Sequence, residues 1–336
     1  RGRNRLISAP SVDVDGTILL GNGKSPMCKI APADGSEVWC ATNGRGGDAG
    51  QSSPAVSVTG RSFMGARDND LWAVDADGTV AWRYHVRHDG DVTTPPTIGS
   101  DGTVYMASNA LGGGWLFAMD PDDGTVKWRV VNRVGILDSS PALDKQGNIY
   151  VGFIDSRVRK FAPDGTILWN QRVARRDDAR RQPNDSPSIG ADGTVYAGAD
   201  DGVWALDGQT GDVKWSFDTD GLVEAAPAIA KDGTIYASAS HPPLIGGGTF
   251  YALNPDGTLK WKFSSDDSFL NAQPAIGANG NVYVPSGNTL YAFDKNGNQL
   301  WQFSTFAGRF VSGAVIGAPG VVYIASTDNN LYAIGN

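Results

Sequence analysis

The sequence is poor in the residues from which most active sites are built. Among 336 residues it has two cysteines, Cys28 and Cys40, and three histidines. The cysteines form neither a zinc-ligand spacing nor a haem-attachment motif. No apolar run approaches the roughly 20 residues needed to span a bilayer, so no membrane span is expected. No stretch shows the 3.6-residue period of an amphipathic helix. Charged residues are 19% of the chain and its net charge is −8. Phosphate binding needs clustered Lys and Arg, so neither nucleic acid nor anionic membrane is an expected partner. The chain begins at Arg1 rather than Met, which reads as a processed or trimmed product.

What is abundant is glycine, at 44 residues, and it is distributed periodically. The segments Ser140-Pro141-Ala142-Leu143, Ser186-Pro187-Ser188-Ile189, Ala226-Pro227-Ala228-Ile229 and Gln273-Pro274-Ala275-Ile276 are copies of one unit. After each Pro come a Gly turn, an apolar strand with a Tyr, a variable loop, a second apolar strand, another Gly turn and a Trp. Prolines fall at 10, 54, 96, 141, 187, 227 and 274, and tryptophans at 39, 82, 128, 169, 215, 261 and 301. An eighth copy puts Ala314 at the Pro position and keeps Val322-Tyr323-Ile324-Ala325. Asp-Gly and Asn-Gly pairs such as Asp192-Gly193 and Asn279-Gly280 close the hairpins.

Four short strands every 40 to 47 residues is the signature of propeller blades. The reading is therefore an all-β, eight-bladed propeller of four-stranded antiparallel blades, a single domain over 1–336. The last copy stops after its third strand. Residues 1–8 are expected to supply its fourth, which closes the ring and removes a sheet edge. A monomer is expected.

The stretch Ala205-Leu206-Asp207-Gly208-Gln209-Thr210-Gly211-Asp212-Val213-Lys214-Trp215 has a counterpart in Ala118 to Trp128. This Ala-x-Asp-x-x-x-Gly-x-x-x-Trp pattern resembles the tryptophan-docking repeat of pyrroloquinoline-quinone-like propellers. That family includes quinone-dependent dehydrogenases and the lipoprotein propeller of outer-membrane β-barrel assembly. The resemblance covers the whole chain and implies the fold. An indole buries about 150–250 Å², so each Trp is read as a wedge against the neighbouring blade, with a small Ala leaving it room. The dehydrogenases carry adjacent cysteines facing the cofactor and long insertions with a calcium site. This chain has neither, so no cofactor and no metal are expected.

The turn Ala33-Asp34-Gly35 lies midway between the cysteines. Counting outward pairs residue 30 with 38 and Cys28 with Cys40. Opposed residues in a non-hydrogen-bonded antiparallel pair have Cα atoms about 4.5 Å apart, near the short end of disulfide geometry. A cross-strand disulfide is expected, and with it export to a periplasmic, cell-surface or secreted location.

The resemblance also implies that ligands meet the loops joining strand two to three and strand four to the next strand one. Tyr84, His85, Arg87 and His88 lie in one such segment. Arg175, Arg176, Arg180 and Arg181 concentrate positive charge in a second. His241 lies in a third, followed by three glycines, and Trp115 follows Gly112-Gly113-Gly114 in a matching loop. Asp155 and Arg157 decorate the same end. The leading reading is a non-catalytic exported propeller that binds a protein or a carbohydrate, with Arg87, Arg175, Arg176, Arg180, Arg181, Trp115, Asp155 and Arg157 as ligand-binding candidates. The alternative is a polysaccharide lyase acting on acidic sugars, in which the arginines neutralise the uronate and His85, His88, His241 or Tyr84 takes the α-proton. A quinone-dependent dehydrogenase is the third reading.

Overall fold

The computed structural model describes residues 8–21, 25, 27–41, 52–66, 69–86, 92, 94–110, 113–132, 139–174, 186–199, 202–242, 246–267, 269, 273–310, 312–317 and 320–335. Among these residues there are eight antiparallel sheets and no helix, hence no helix long and apolar enough to cross a membrane. This is an eight-bladed β-propeller. The chain forms two compact units, residues 1–141 with 315–336 and residues 142–314.

The first unit holds blades one, two, three and eight. Blade one is typical of them, with strands Ser11–Val12, Ile18–Leu20, Met27–Ile30 and Glu37–Ala41 paired in sequence order. Blade eight shows three strands, Val315–Ile316, Val322–Ala325 and Leu331–Ile334. Of residues 1–8, expected to supply the fourth, residues 1–7 lie outside the described residues. Ile18 and Leu20 of blade one pack against Tyr323 and Ala325 of blade eight. The second unit holds blades four to seven. Blade six has five strands among the described residues: Leu222–Val223 pairs with the free end of Ile235–Ser240, at Leu222 opposite Ser240.

In blades two, three, five, six and seven an aromatic of strand two, an Ala of strand three and the Trp of strand four stand side by side. Examples are Tyr196, Ala205 and Trp215, and Tyr236, Ala252 and Trp261. The Tyr and Trp rings meet across the Ala, with centroids 5.8 and 5.7 Å apart. The Ala is small because the two rings close over it. Two blades place a lysine there instead. Lys29 is buried and bonds Asp13 at 2.7 Å and Asp15 at 2.9 Å. Lys160 donates to the Gly208 carbonyl at 2.8 Å.

The indole nitrogens reach the next blade. Trp39 donates to the carbonyl of Ala76, Trp82 to Pro121, Trp169 to Gly208, Trp215 to Pro255 and Trp261 to Lys295, at 2.9 to 3.2 Å. In the three-to-four hairpin of blade one the register departs from the count along the sequence at one point. Cys28 stands opposite Cys40 as counted, but Ile30 stands opposite Glu37, not Val38, because a bulge falls between Lys29 and Ile30. The Cys28–Cys40 disulfide is present, with Cα atoms 4.1 Å apart.

Candidate binding end of the blades

The turns joining strand one to two and strand three to four lie at one end of each blade. They are tight, polar and alike. Asp232, for instance, accepts from the Thr234 backbone amide, and Gly233 takes a φ of +84°. The connections that differ between blades lie at the other end.

At this end the two-to-three turn holds the start of the next connection. Asn69 takes a φ of +66°, and its carbonyl accepts from the Val86 amide. Ser156, at +59°, does the same for Val173. Both valines are buried, so each connection is fastened at its first residue. In blade seven the fastening is double. Thr305 N–H donates to the Asn288 carbonyl at 2.9 Å, and Phe310 N–H donates to the Gly287 carbonyl at 2.7 Å. The Thr305 hydroxyl donates to the Gly308 carbonyl at 2.6 Å. Between these anchors Phe306 is fully exposed.

The candidates fall as follows. His85 is not in a loop. It ends the strand Val80–His85, with Nδ1 2.6 Å from the buried Asp70 carboxylate. Arg83 reaches the other Asp70 oxygen at 3.2 Å. Tyr84 packs edge-on against Phe117. Trp115 also lies in a strand, Gly113–Met119, and not in a loop. Its ring stacks on Phe117 at 5.9 Å and lies under the Arg129 guanidinium at 4.9 Å. Asp155 is held by Arg159 through a paired contact, and Arg157 donates to the Asn170 carbonyl at 3.3 Å. Arg87, His88, Arg175, Arg176, Arg180 and Arg181 lie outside the described residues.

His241 is the centre of the densest polar group. Its Nδ1 is 3.0 Å from the Gly246 carbonyl, which only accepts, so Nδ1 carries a proton. Its Nε2 is 3.2 Å from Asp220 Oδ1 and 3.2 Å from the Thr249 hydroxyl, which itself donates to Asp220 Oδ2 at 2.9 Å. Burial opposes ionisation of Asp220, but hydrogen bonds from Tyr251, Thr249 and His241 outweigh it and hold its pKa below the usual carboxylate value. Tyr251 OH accepts from the Asp220 amide at 3.2 Å. Burial, with the Asp220 carboxylate beside it, pushes the Tyr251 pKa up to about 12. Nearby, burial raises the pKa of Glu224, and the adjacent Ser240 hydroxyl acts the other way.

Sequence reading missed Asp220, Thr249, Tyr251 and Phe306. Asp220 lies in a connection between blades, and Thr249 and Tyr251 share the strand Gly248–Leu253. An exposed Phe has no signature in a sequence that carries twelve.

Eight antiparallel blades with variable connections at one end define an eight-bladed β-propeller. Within that class the chain belongs to the family described as outer membrane protein assembly factor BamB, whose model matches residues 24–199 and 154–336. It is 30% identical over 195 residues to the outer membrane protein assembly factor BamB of Burkholderia pseudomallei, a match covering 57% of this chain and 48% of that protein. The chain thus matches about half the length of that curated relative. Among solved structures, BamB from Moraxella catarrhalis is similar with a TM-score of 0.76 and 16% identity, over 96% of this chain and 94% of that one. The quinohemoprotein alcohol dehydrogenase of Comamonas testosteroni gives 0.80 and 14%, over 96% and 70%. At these identities the structural likeness speaks to the fold alone.

Proposed function

We propose that the chain is a non-catalytic, exported propeller that binds a protein partner at the connection end of its blades, as an assembly factor for outer-membrane proteins. The observation that carries this reading is Phe306. A fully exposed aromatic ring on a turn fastened at both flanks presents apolar area without an ordering cost on binding, which is what an interface anchor requires. The family membership supports a protein partner. The disulfide supports export. His85 and His241 each hold a carboxylate of their own blade, which favours a role in fastening connections over proton transfer to a substrate.

The test is photo-crosslinking from single positions in the exported protein. A photoreactive residue at 306 is expected to give a discrete protein adduct. One at Val58, equally exposed but at the turn end of blade two, is expected to give none. Absence of an adduct from 306, or equal labelling from both positions, overturns the reading.

A further inference from the structure

The internal repeat supplies its own reference for what a position needs structurally. At the place of Cys28 the other six full blades carry Trp72, Phe117, Arg159, Trp204, Tyr251 and Tyr291. Opposite these, at the place of Cys40, stand Arg83, Arg129, Asn170, Ser216, Lys262 and Gln302. The usual pair is therefore a large side chain covered by a polar one, as where Arg83 lies 5.2 Å over Trp72. At the place of Glu37 the other blades carry Val80, Val126, Ile167, Val213, Leu259 and Gln299. Blade one departs at all three positions, and only there does the last become a carboxylate.

The three departures converge. The two Sγ atoms and a Glu37 carboxylate oxygen lie within 4.8 Å of one another. On a regular strand Glu37 and Cys40 would face opposite sides. The bulge between Lys29 and Ile30 shifts the register there and re-aims the side chain toward the sulfurs. Cys28 is buried, Cys40 half-buried and Glu37 exposed, so the group has a closed floor and an open mouth.

We propose that Cys28, Cys40 and Glu37 form a redox-gated site for a thiophilic divalent cation of the zinc class. In the oxidised chain the sulfurs are bonded to each other and offer no thiolate. A phosphine or dithiol reductant breaks the S–S bond. With a phosphine and one water, the products are two thiols and the phosphine oxide. The two thiols then lose two protons as the cation binds, and the Glu37 carboxylate gives a third ligand. Two sulfurs, one oxygen and an open fourth position suit a tetrahedral cation. Disulfide and metal are alternative states of one place, at the outer hairpin that carries Trp39.

The experiment titrates the phosphine-reduced, desalted full chain with Cd²⁺ and follows the ultraviolet thiolate-to-metal band. The oxidised chain serves as the blank. One equivalent is expected to saturate the band in the reduced chain, with none in the oxidised one. Glu37→Gln leaves the disulfide untouched and is expected to weaken binding at least as much as loss of an outer-sphere partner does, about tenfold or more. Cys40→Ser should abolish the band. A band absent from folded, reduced protein, or one that Glu37→Gln leaves at full affinity, overturns the proposal. If reduction melts the hairpin, recovery of the native near-ultraviolet signal on adding Cd²⁺ supports the site, and failure to recover it overturns it.

Discussion

The Trp215 indole lies so close against Gly257 that a β-carbon at that glycine would come within 2.6 Å of ring carbon Cδ2. Gly257 also has a φ of +86°, where L side chains are strained. Two independent reasons thus require glycine at the turn that receives the tryptophan of the preceding blade. Gly257→Ala is expected to destabilise the second unit by roughly 1–3 kcal/mol from backbone strain, plus the displacement of Trp215. Denaturant unfolding followed by tryptophan fluorescence measures it. Gly193→Ala is the control, because it has the same strain and open space around it. An equal loss in both variants would mean that the ring contact contributes nothing.

Acid should unfold the protein through its turns. The carboxylates of Asp101, Asp192 and Asp232 accept hydrogen bonds from the amide and hydroxyl of the following Thr, which outweigh burial and hold their pKa values below 3.8. Asp15, bonded by Thr17 and Lys29, is lowered to about 2. A carboxylate depressed in the folded state contributes stability above its unfolded pKa and loses it as pH falls toward its folded one. Midpoint denaturant concentrations are therefore expected to hold steady down to about pH 4 and to fall between about pH 4 and 2. A flat profile across that window would show the turn hydrogen bonds to be neutral in effect.

The repeat was legible because each blade has one place for the wedge and one for the proline, so Trp and Pro recur at blade spacing. The Cys28–Cys40 pairing was legible by counting outward from Asp34. The partner of Ile30 was not, because a bulge adds a residue without a sequence mark. Trp115 and His85 read as loop residues because glycines and charges flank them, yet extended hairpins carry both. The Asp220, His241 and Thr249 group was illegible for another reason. It assembles from a blade connection, a two-to-three loop and a strand that only the fold brings together.

Asp220 should be detectable through Tyr251. Burial is the main cause that lifts the phenol to about 12, and the neighbouring Asp220 charge adds to it. In Asp220→Asn the burial stays and the charge goes. The Tyr251 phenolate, read by difference absorbance against a Tyr251→Phe blank, is expected to form at lower pH than in the parent while staying above its ordinary value. The same variant leaves one acceptor oxygen where Thr249 and His241 each had their own, so amide exchange in residues 220–225 should quicken. An unchanged phenol titration would place the Asp220 charge too far from the ring to matter.

The disulfide closes a short loop, its cysteines twelve positions apart in the chain. Loop-closure entropy for a loop of that size is worth about 3 kcal/mol against a free chain. The hairpin from Met27 to Ala41 already brings the same residues together through its own ladder and turn, where Gly35 donates to the Ala31 carbonyl at 3.0 Å. Residual hairpin structure in the unfolded chain reduces what the covalent link can add. The double variant Cys28→Ser, Cys40→Ser is therefore expected to lose less than about 3 kcal/mol, and the loss should fall on the first unit, where Trp39 reaches Ala76. Protease susceptibility at the Glu37–Ala41 strand, compared with the matching strand Gln299–Ser304 of blade seven, localises it. A loss above that bound would show that the hairpin needs the bond in order to form.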